Sequence, residues 1–197
     1  MKHQSSRRLF DYWNRRRGNR PAPERGEIEP GAIRTILSDT FILGCEPGGD
    51  PAFRLAGTKV CALFCRELKG QSFTALWESA GREKLRKLVQ TVADESVGLV
   101  AGVRGEANGG TSVELELLLL PLAYRGRAHA RLLGVLAPIA TPCWFGTAPL
   151  ADLRLGSLRH LGSEVDIATA PRFVSGRPRP GLVVYEGGRQ AARPTTS

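Results

Sequence analysis

Residues 53–77, FRLAGTKVCALFCRELKGQSFTALW, decide how this chain is read. Residues 53–56 have the aromatic and aliphatic composition of a strand. Gly57-Thr58 then turns the chain, and the Thr58 hydroxyl is placed to cap a short helix running to Phe64. Gly70 breaks the chain again, after which Phe73, Leu76 and Trp77 gather into an apolar knot. A strand, a short helix, a turn and an aromatic loop in quick succession point to a small sensory or interaction domain rather than to an active site.

Upstream, residues 39–45 are rich in Thr, Phe, Ile and Leu, and Pro47-Gly48-Gly49-Asp50 is a turn by composition, so 39–45 and 53–56 are expected to pair as an antiparallel hairpin. Pro30 to Leu37 fits one or two helical turns with proline near the start. Downstream, residues 79–95 place Leu85, Leu88, Val89, Val92 and Ala93 on one helical face, with Ser79 as the expected N-cap. Three strands follow. Val97, Leu99, Ala101 and Val103 alternate; Asn108-Gly109-Gly110 supplies a hairpin turn; residues 113–122 are joined through Arg125-Gly126-Arg127 to 128–139, and Pro138 and Pro142 end the sheet.

The middle strand of this trio is apolar on both faces. Val113, Leu115, Leu117 and Leu119 point one way; the other way begins with Glu114 and Glu116 and continues with Leu118, Leu120 and Leu122. That second face needs cover. Residues 6–17 provide a candidate, an amphipathic helix with Leu9, Phe10 and Trp13 at helical spacing, ended by Gly18 and Pro21, supplied by the same chain or by a partner. Later, Leu153, Leu155, Leu158 and Leu161 within 152–163 fit either a short helix or an added strand, and from Ala168 onward Pro, Gly, Arg and Thr predict disorder apart from the small apolar run 182–185.

The chain of 197 residues fits one domain with extensions. The expected division is an N-terminal helix and linker over 1–27, a domain over 28–145 and a C-terminal extension over 146–197. The net charge of +9 is concentrated at the ends: residues 1–25 carry eight Lys/Arg against Asp11 and Glu24, and residues 168–197 carry five Arg against Glu186. The near-neutral middle argues against a core that itself grips nucleic acid, so no DNA is expected on it. There is no apolar run long enough to span a bilayer and no apolar segment of the secretory kind at the N-terminus. Cys45, Cys61, Cys65 and Cys143 are too scattered for a disulfide framework, and a cytoplasmic location is expected.

Several segments together resemble one bacterial PAS family, known mainly from alphaproteobacteria. They are Trp13…Arg17-Gly18…Pro21…Ile28-Glu29-Pro30, Phe53-Arg54-Leu55-Ala56-Gly57-Thr58, Glu67-Leu68-Lys69-Gly70…Phe73…Leu76-Trp77, residues 114–122 with Pro121, and Gly134-Val135-Leu136-Ala137-Pro138. The resemblance spans roughly 7–145. It implies an α+β fold: a PAS-like five-stranded antiparallel sheet with helices on one face and an N-terminal amphipathic helix. It also implies a sensor or adaptor without catalysis of its own, acting by ligand- or partner-dependent protein–protein interaction. Expected partners are a second copy of the chain and a separate signalling protein such as a kinase. Trp13 recurs in the family pattern, which implies a docking or dimer role for Leu9, Phe10 and Trp13; contact of this helix with a membrane surface is the weaker reading.

The candidate chemistry is sparse. Phe53, Leu55, Phe64, Phe73, Trp77, Leu115, Leu117 and Leu133 are candidate walls of a ligand cavity, against the favoured alternative of a filled core built from the same residues. Cys61 and Cys65 are spaced to share a helix face, but zinc needs four ligands and no second pair matches. Flavin photoreceptors of this fold use a cysteine in an Asn-Cys-Arg-Phe-Leu-Gln type motif, whereas the corresponding region reads Arg66-Glu67-Leu68-Lys69-Gly70-Gln71-Ser72. Haem needs an axial ligand, and His3, His129 and His160 are poorly placed for it. No cofactor or metal is therefore expected, with an unidentified small ligand left open. Hydrolase, zincin and nucleotide-loop motifs are absent. The rival reading is a nucleic-acid-associated protein that binds through basic N- and C-terminal arms, with steep salt dependence as its mark.

Overall fold

A computed structural model describes residues 1–161 apart from 47, 108, 109, 125 and 126, with backbone alone for 127–130. Expectations for the 168–197 tail, for the Asn108-Gly109 and Arg125-Gly126 turns and for the His129 side chain fall outside the described residues.

The apolar and alternating runs become six strands: β1 (Thr40–Gly44), β2 (Ala52–Ala56), β3 (Gly98–Ala107), β4 (Ser112–Tyr124), β5 (Arg127–Pro138) and β6 (Leu150–Leu161). They form one antiparallel sheet in the order β2-β1-β5-β4-β3-β6. The hairpin of β1 and β2 is present, and so is the β3-β4-β5 meander. The leucine-rich segment after residue 150 is the added strand of the two alternatives, so the sheet has one strand more than the expected five. β6 runs antiparallel to β3 from Ala107↔Leu150 to Gly98↔Leu161, and Leu150, Leu153 and Leu155 face the same core as Val103.

Among the described residues three α-helices pack on the sheet: α1 (Gln4–Arg17), α2 (Thr58–Leu63) and α3 (Arg82–Glu95). α1 begins earlier than the apolar spacing predicts because His3 caps it, its Nδ1 accepting from the Ser5 amide at 3.1 Å. Thr58 is the first helical residue of α2 rather than its cap; Gly57 holds the cap position. A Cβ on Gly57 would overlap the carbonyls of Leu37 and Ser38, so this corner closes only with glycine. Ser79 likewise does not cap α3, because Ser79–Gly81 forms a 3-10 turn and α3 begins at Arg82.

The sheet separates two cores. α2 and α3 lie on one face, where Leu85, Val89 and Val92 pack with Leu115, Leu117, Leu119 and the rings of Phe41, Phe53, Phe73 and Trp77. α1 lies on the other, where Leu9, Tyr12 and Trp13 pack with Ile42, Leu118, Leu120, Leu122, Leu133 and Val135. The all-apolar β4 is thus covered on both sides, and the cover for Leu118, Leu120 and Leu122 comes from the same chain.

Pro121 stands in a central strand where proline is rare. β3 pairs with β4 only as far as Leu99↔Leu119, so at Pro121 the neighbouring strand has ended. The N-terminal linker takes its place. The Pro121 carbonyl accepts from Trp13 Nε1 at 2.8 Å, and the Ala123 amide donates to the Pro23 carbonyl at 3.0 Å.

Candidate functional site

The face under α1 is where chemistry other than apolar packing concentrates. Glu116 is only 5% exposed, and its carboxylate accepts from the backbone amides of Lys2 at 2.5 Å and His3 at 3.0 Å. Asp39, 4% exposed, accepts from Ser5 Oγ at 2.7 Å and pairs with Lys59 Nζ at 3.5 Å. Two carboxylates therefore hold the first turn of α1, where a helix presents unpaired amides and a positive dipole end. Trp13 fixes the middle through Leu118–Leu122 packing and its bond to Pro121. The Tyr12 hydroxyl, one residue before it, ties the helix to the linker, donating to the Glu27 carbonyl and accepting from the Glu29 amide.

The arginines of this region divide into two sets. Arg16 pairs with Glu29 at 2.9 Å and lies over the Tyr12 ring; Arg20 pairs with Glu27 at 3.0 Å; Arg17 lies 4.9 Å from the Trp13 ring centroid and bonds Asn14. Glu27 is held below the usual carboxylate range by the Arg20 guanidinium and the Glu24 amide. Arg8 and Arg15 make no ion pair among the described residues; Arg8 reaches only the Thr35 hydroxyl, at 3.4 Å. The N-terminal segment is thus a docked helix in which Arg16 and Arg20 are ion-paired.

The residues expected to wall a cavity are divided by the sheet. Phe53, Phe64, Phe73, Trp77, Leu115 and Leu117 come together on the α3 side. There the rings of Phe41, Phe53, Phe73 and Trp77 contact one another with centroids 5.6–5.7 Å apart, mostly edge to face. Phe41, which the residue spacing does not single out, lies at the centre, against the bare backbone of Gly134: any Cβ there would overlap its ring. Leu55 is 39% exposed instead. A bulge pairs Leu43 with Phe53 but Ile42 with Leu55, so Arg54 is the extra residue and Leu55 turns to the opposite face from Phe53. Leu133 also lies on the α1 side, opposite Leu120, while its neighbour Leu132 enters the aromatic core. Leu9 and Trp13 are buried; Phe10 is half-buried and stacks on Trp13.

Other candidate groups are dispersed. α2 ends at Leu63 and Cys65 has a left-handed backbone (φ 49°), so Cys61 and Cys65 do not share a helix face. Burial pushes the Cys45 thiol up to about 11 despite the nearby Arg131, which keeps it protonated and unreactive near neutrality. His3 is a helix cap. No cluster of three metal-binding side chains occurs among the described residues, and no helix among them is long and apolar enough to cross a membrane. Asp50 accepts from Ser72 and Thr74 and pairs with Arg86 at 3.3 Å; burial would raise its pKa, but these bonds outweigh it and hold it below the usual range. The group ties the loop before β2 to α3.

No curated protein matches the chain. A solved structure of an RNA-binding light-oxygen-voltage receptor matches over 59% of this chain at 15% identity, with a TM-score of 0.44; the match spans 35% of that receptor chain. The family profile described as a PAS domain matches residues 1–137, which takes in α1, both sheet faces and nearly all of β5. The chain belongs to the PAS domain family.

Proposed function

We propose that this chain is a non-catalytic sensor or adaptor that relays its state to a separate signalling protein by contact, and that it works as a homodimer. The family is one of sensor modules, and the docked α1 supports the finer reading. α1 is joined to the sheet through a small set of directional bonds, from Glu116, Asp39 and the Pro121 carbonyl, over a leucine face that is otherwise complete. Shifting such a helix exchanges those bonds, and the burial of Leu9, Tyr12 and Trp13 on the leucine face, for contacts with a partner. The aromatic core opposite is occupied by its own rings, so the signal is assigned to a partner rather than to a small molecule held there.

Native mass spectrometry combined with an absorption spectrum tests the reading. The expected result is twice the 21.3 kDa chain mass with no retained chromophore. A chromophore at unit stoichiometry would overturn the partner-driven mechanism, and a monomer at every concentration would overturn the dimer.

A further inference from the structure

Two guanidinium groups converge over bare backbone at the end of β1. A Cβ on Gly44 would overlap both Arg131 Nη1 and Arg54 Nε, so these two nitrogens lie within about 5 Å of each other, a spacing at which like charges repel unless an anion joins them. Gly44 pairs with Arg131 across the β1–β5 ladder, which brings the Arg131 side chain to the same sheet face. Arg54 reaches the spot because it is the extra residue of the β1–β2 bulge, and a bulge re-aims the side chain it carries. The missing side chain at Gly44 leaves the room that both heads occupy. Compensation of the two charges is incomplete. Arg54 pairs with Glu46 at 2.6 Å, through a side chain that is 72% exposed. Arg131 makes no ion pair among the described residues, and its guanidinium lies 4.7 Å from the Tyr124 ring centroid. Convergence, rather than want of a partner, distinguishes this pair from the arginines spaced along α1.

We infer that Arg54 and Arg131 together bind one phosphoryl dianion, as free phosphate or as a small-molecule monoester, with Glu46 as the group it displaces. A tetrahedral dianion sets oxygens and negative charge against both planar donor heads at once. A carboxylate carries a single charge, and Glu46 engages only one of the two heads. An exposed pair such as Arg54–Glu46 is worth little, so exchanging Glu46 for a dianion held by both arginines is a net gain. Heads this close bracket a single phosphoryl group rather than a row of them, which favours a small ligand over a nucleic acid or an anionic bilayer. The site uses none of the bonds that hold α1 to the sheet and lies outside the aromatic core, so the inference stands apart from the adaptor reading.

The test titrates the full chain with inorganic phosphate, glycerol 3-phosphate and acetate, and follows the arginine Nε–Hε resonances by nuclear magnetic resonance. The signals of Arg54 and Arg131 are expected to shift together, with both phosphates binding tighter than acetate; whichever phosphate binds tighter identifies the source. Arg131→Gln and Arg54→Gln are each expected to weaken phosphate by about tenfold or more. Glu46→Gln, which removes the competing carboxylate, is expected to tighten it by about threefold. Gly44→Ala leaves every charge in place but pushes the two heads apart, and is expected to weaken phosphate as well. Binding is expected to strengthen from pH 5.5 to 7.5, because the second phosphate proton leaves near pH 6. Matching melting curves establish that the variants are folded. Acetate binding as tightly as phosphate overturns the inference, and so does phosphate binding that survives Arg131→Gln. Wild-type affinity in Gly44→Ala also overturns it, because convergence over the bare backbone would then not be what binds.

Discussion

The two faces of one sheet are closed by different means. On the α3 side four aromatic rings interlock with one another and with aliphatic side chains from two helices, and the cohesion is dispersive and shared among many residues. On the α1 side one helix covers a row of leucines, and polar bonds at its first turn and middle fix where it sits. A core of the first kind fails as a whole or not at all. A cover of the second kind lifts as a unit, giving up its few ties together with the burial of Leu9, Tyr12 and Trp13. The difference assigns permanence to one face and movement to the other.

The comparison breaks most severely at the aromatic core. Phe73→Ala removes a ring that contacts Phe41, Phe53 and Trp77, and should cost about 3–5 kcal/mol, read as a large fall in the midpoint of urea unfolding. Trp13→Ala deletes a side chain of similar size that is 2% exposed, yet the loss is limited to what α1 docking contributes, because the helix then leaves the sheet. About 2–3 kcal/mol is expected, with the rest of the fold retained in near-ultraviolet circular dichroism. An equal loss for the two variants would erase the distinction between the faces.

Two smaller perturbations sharpen it. Glu116→Gln keeps the shape but not the charge beneath the Lys2 and His3 amides, and should cost about 1–2 kcal/mol, seen as faster tryptic cleavage after Arg7 and Arg8. Acid should act weakly on each side through a different carboxylate. Asp50 and Glu27 both have depressed pKa values in the folded chain, so the stability they contribute is present above the unfolded value and is lost as pH falls below about 4. Asp50→Asn should flatten the acid limb of unfolding for the α3 side, and Glu27→Gln should flatten it for release of α1.

What the sequence makes legible follows from where its pattern is unambiguous. The need for a cover over Leu118, Leu120 and Leu122 could be read because Glu114 and Glu116 mark the phase of β4, and the Leu9/Trp13 stripe supplies a helix of the right period. The same carboxylate that marks the phase, Glu116, turns out to hold the helix, which spacing alone does not reveal: the amides it binds belong to Lys2 and His3, more than a hundred residues away. Leu133 lies on the α1 face, apart from the other expected cavity walls, because β5 is apolar at both parities from Leu132 to Ala137, which hides the phase that Arg131 sets two residues earlier. Leu55 faces away from Phe53 because of one bulged residue, Arg54, and a bulge leaves no trace in composition. The spacing of Leu153, Leu155, Leu158 and Leu161 satisfies both helical and strand periods, and only the open edge of β3 decides between them.

Native-state hydrogen exchange of the unmodified chain in low urea tests the asymmetry most directly. The amides of Gln4–Arg17 should open at a lower free energy than those of β4 and β5, and with a smaller urea dependence, as a helix lifting from an intact sheet requires. If α1 exchanges only in the same global event as β4 and β5, the helix is as permanent as the aromatic core and cannot be the moving part.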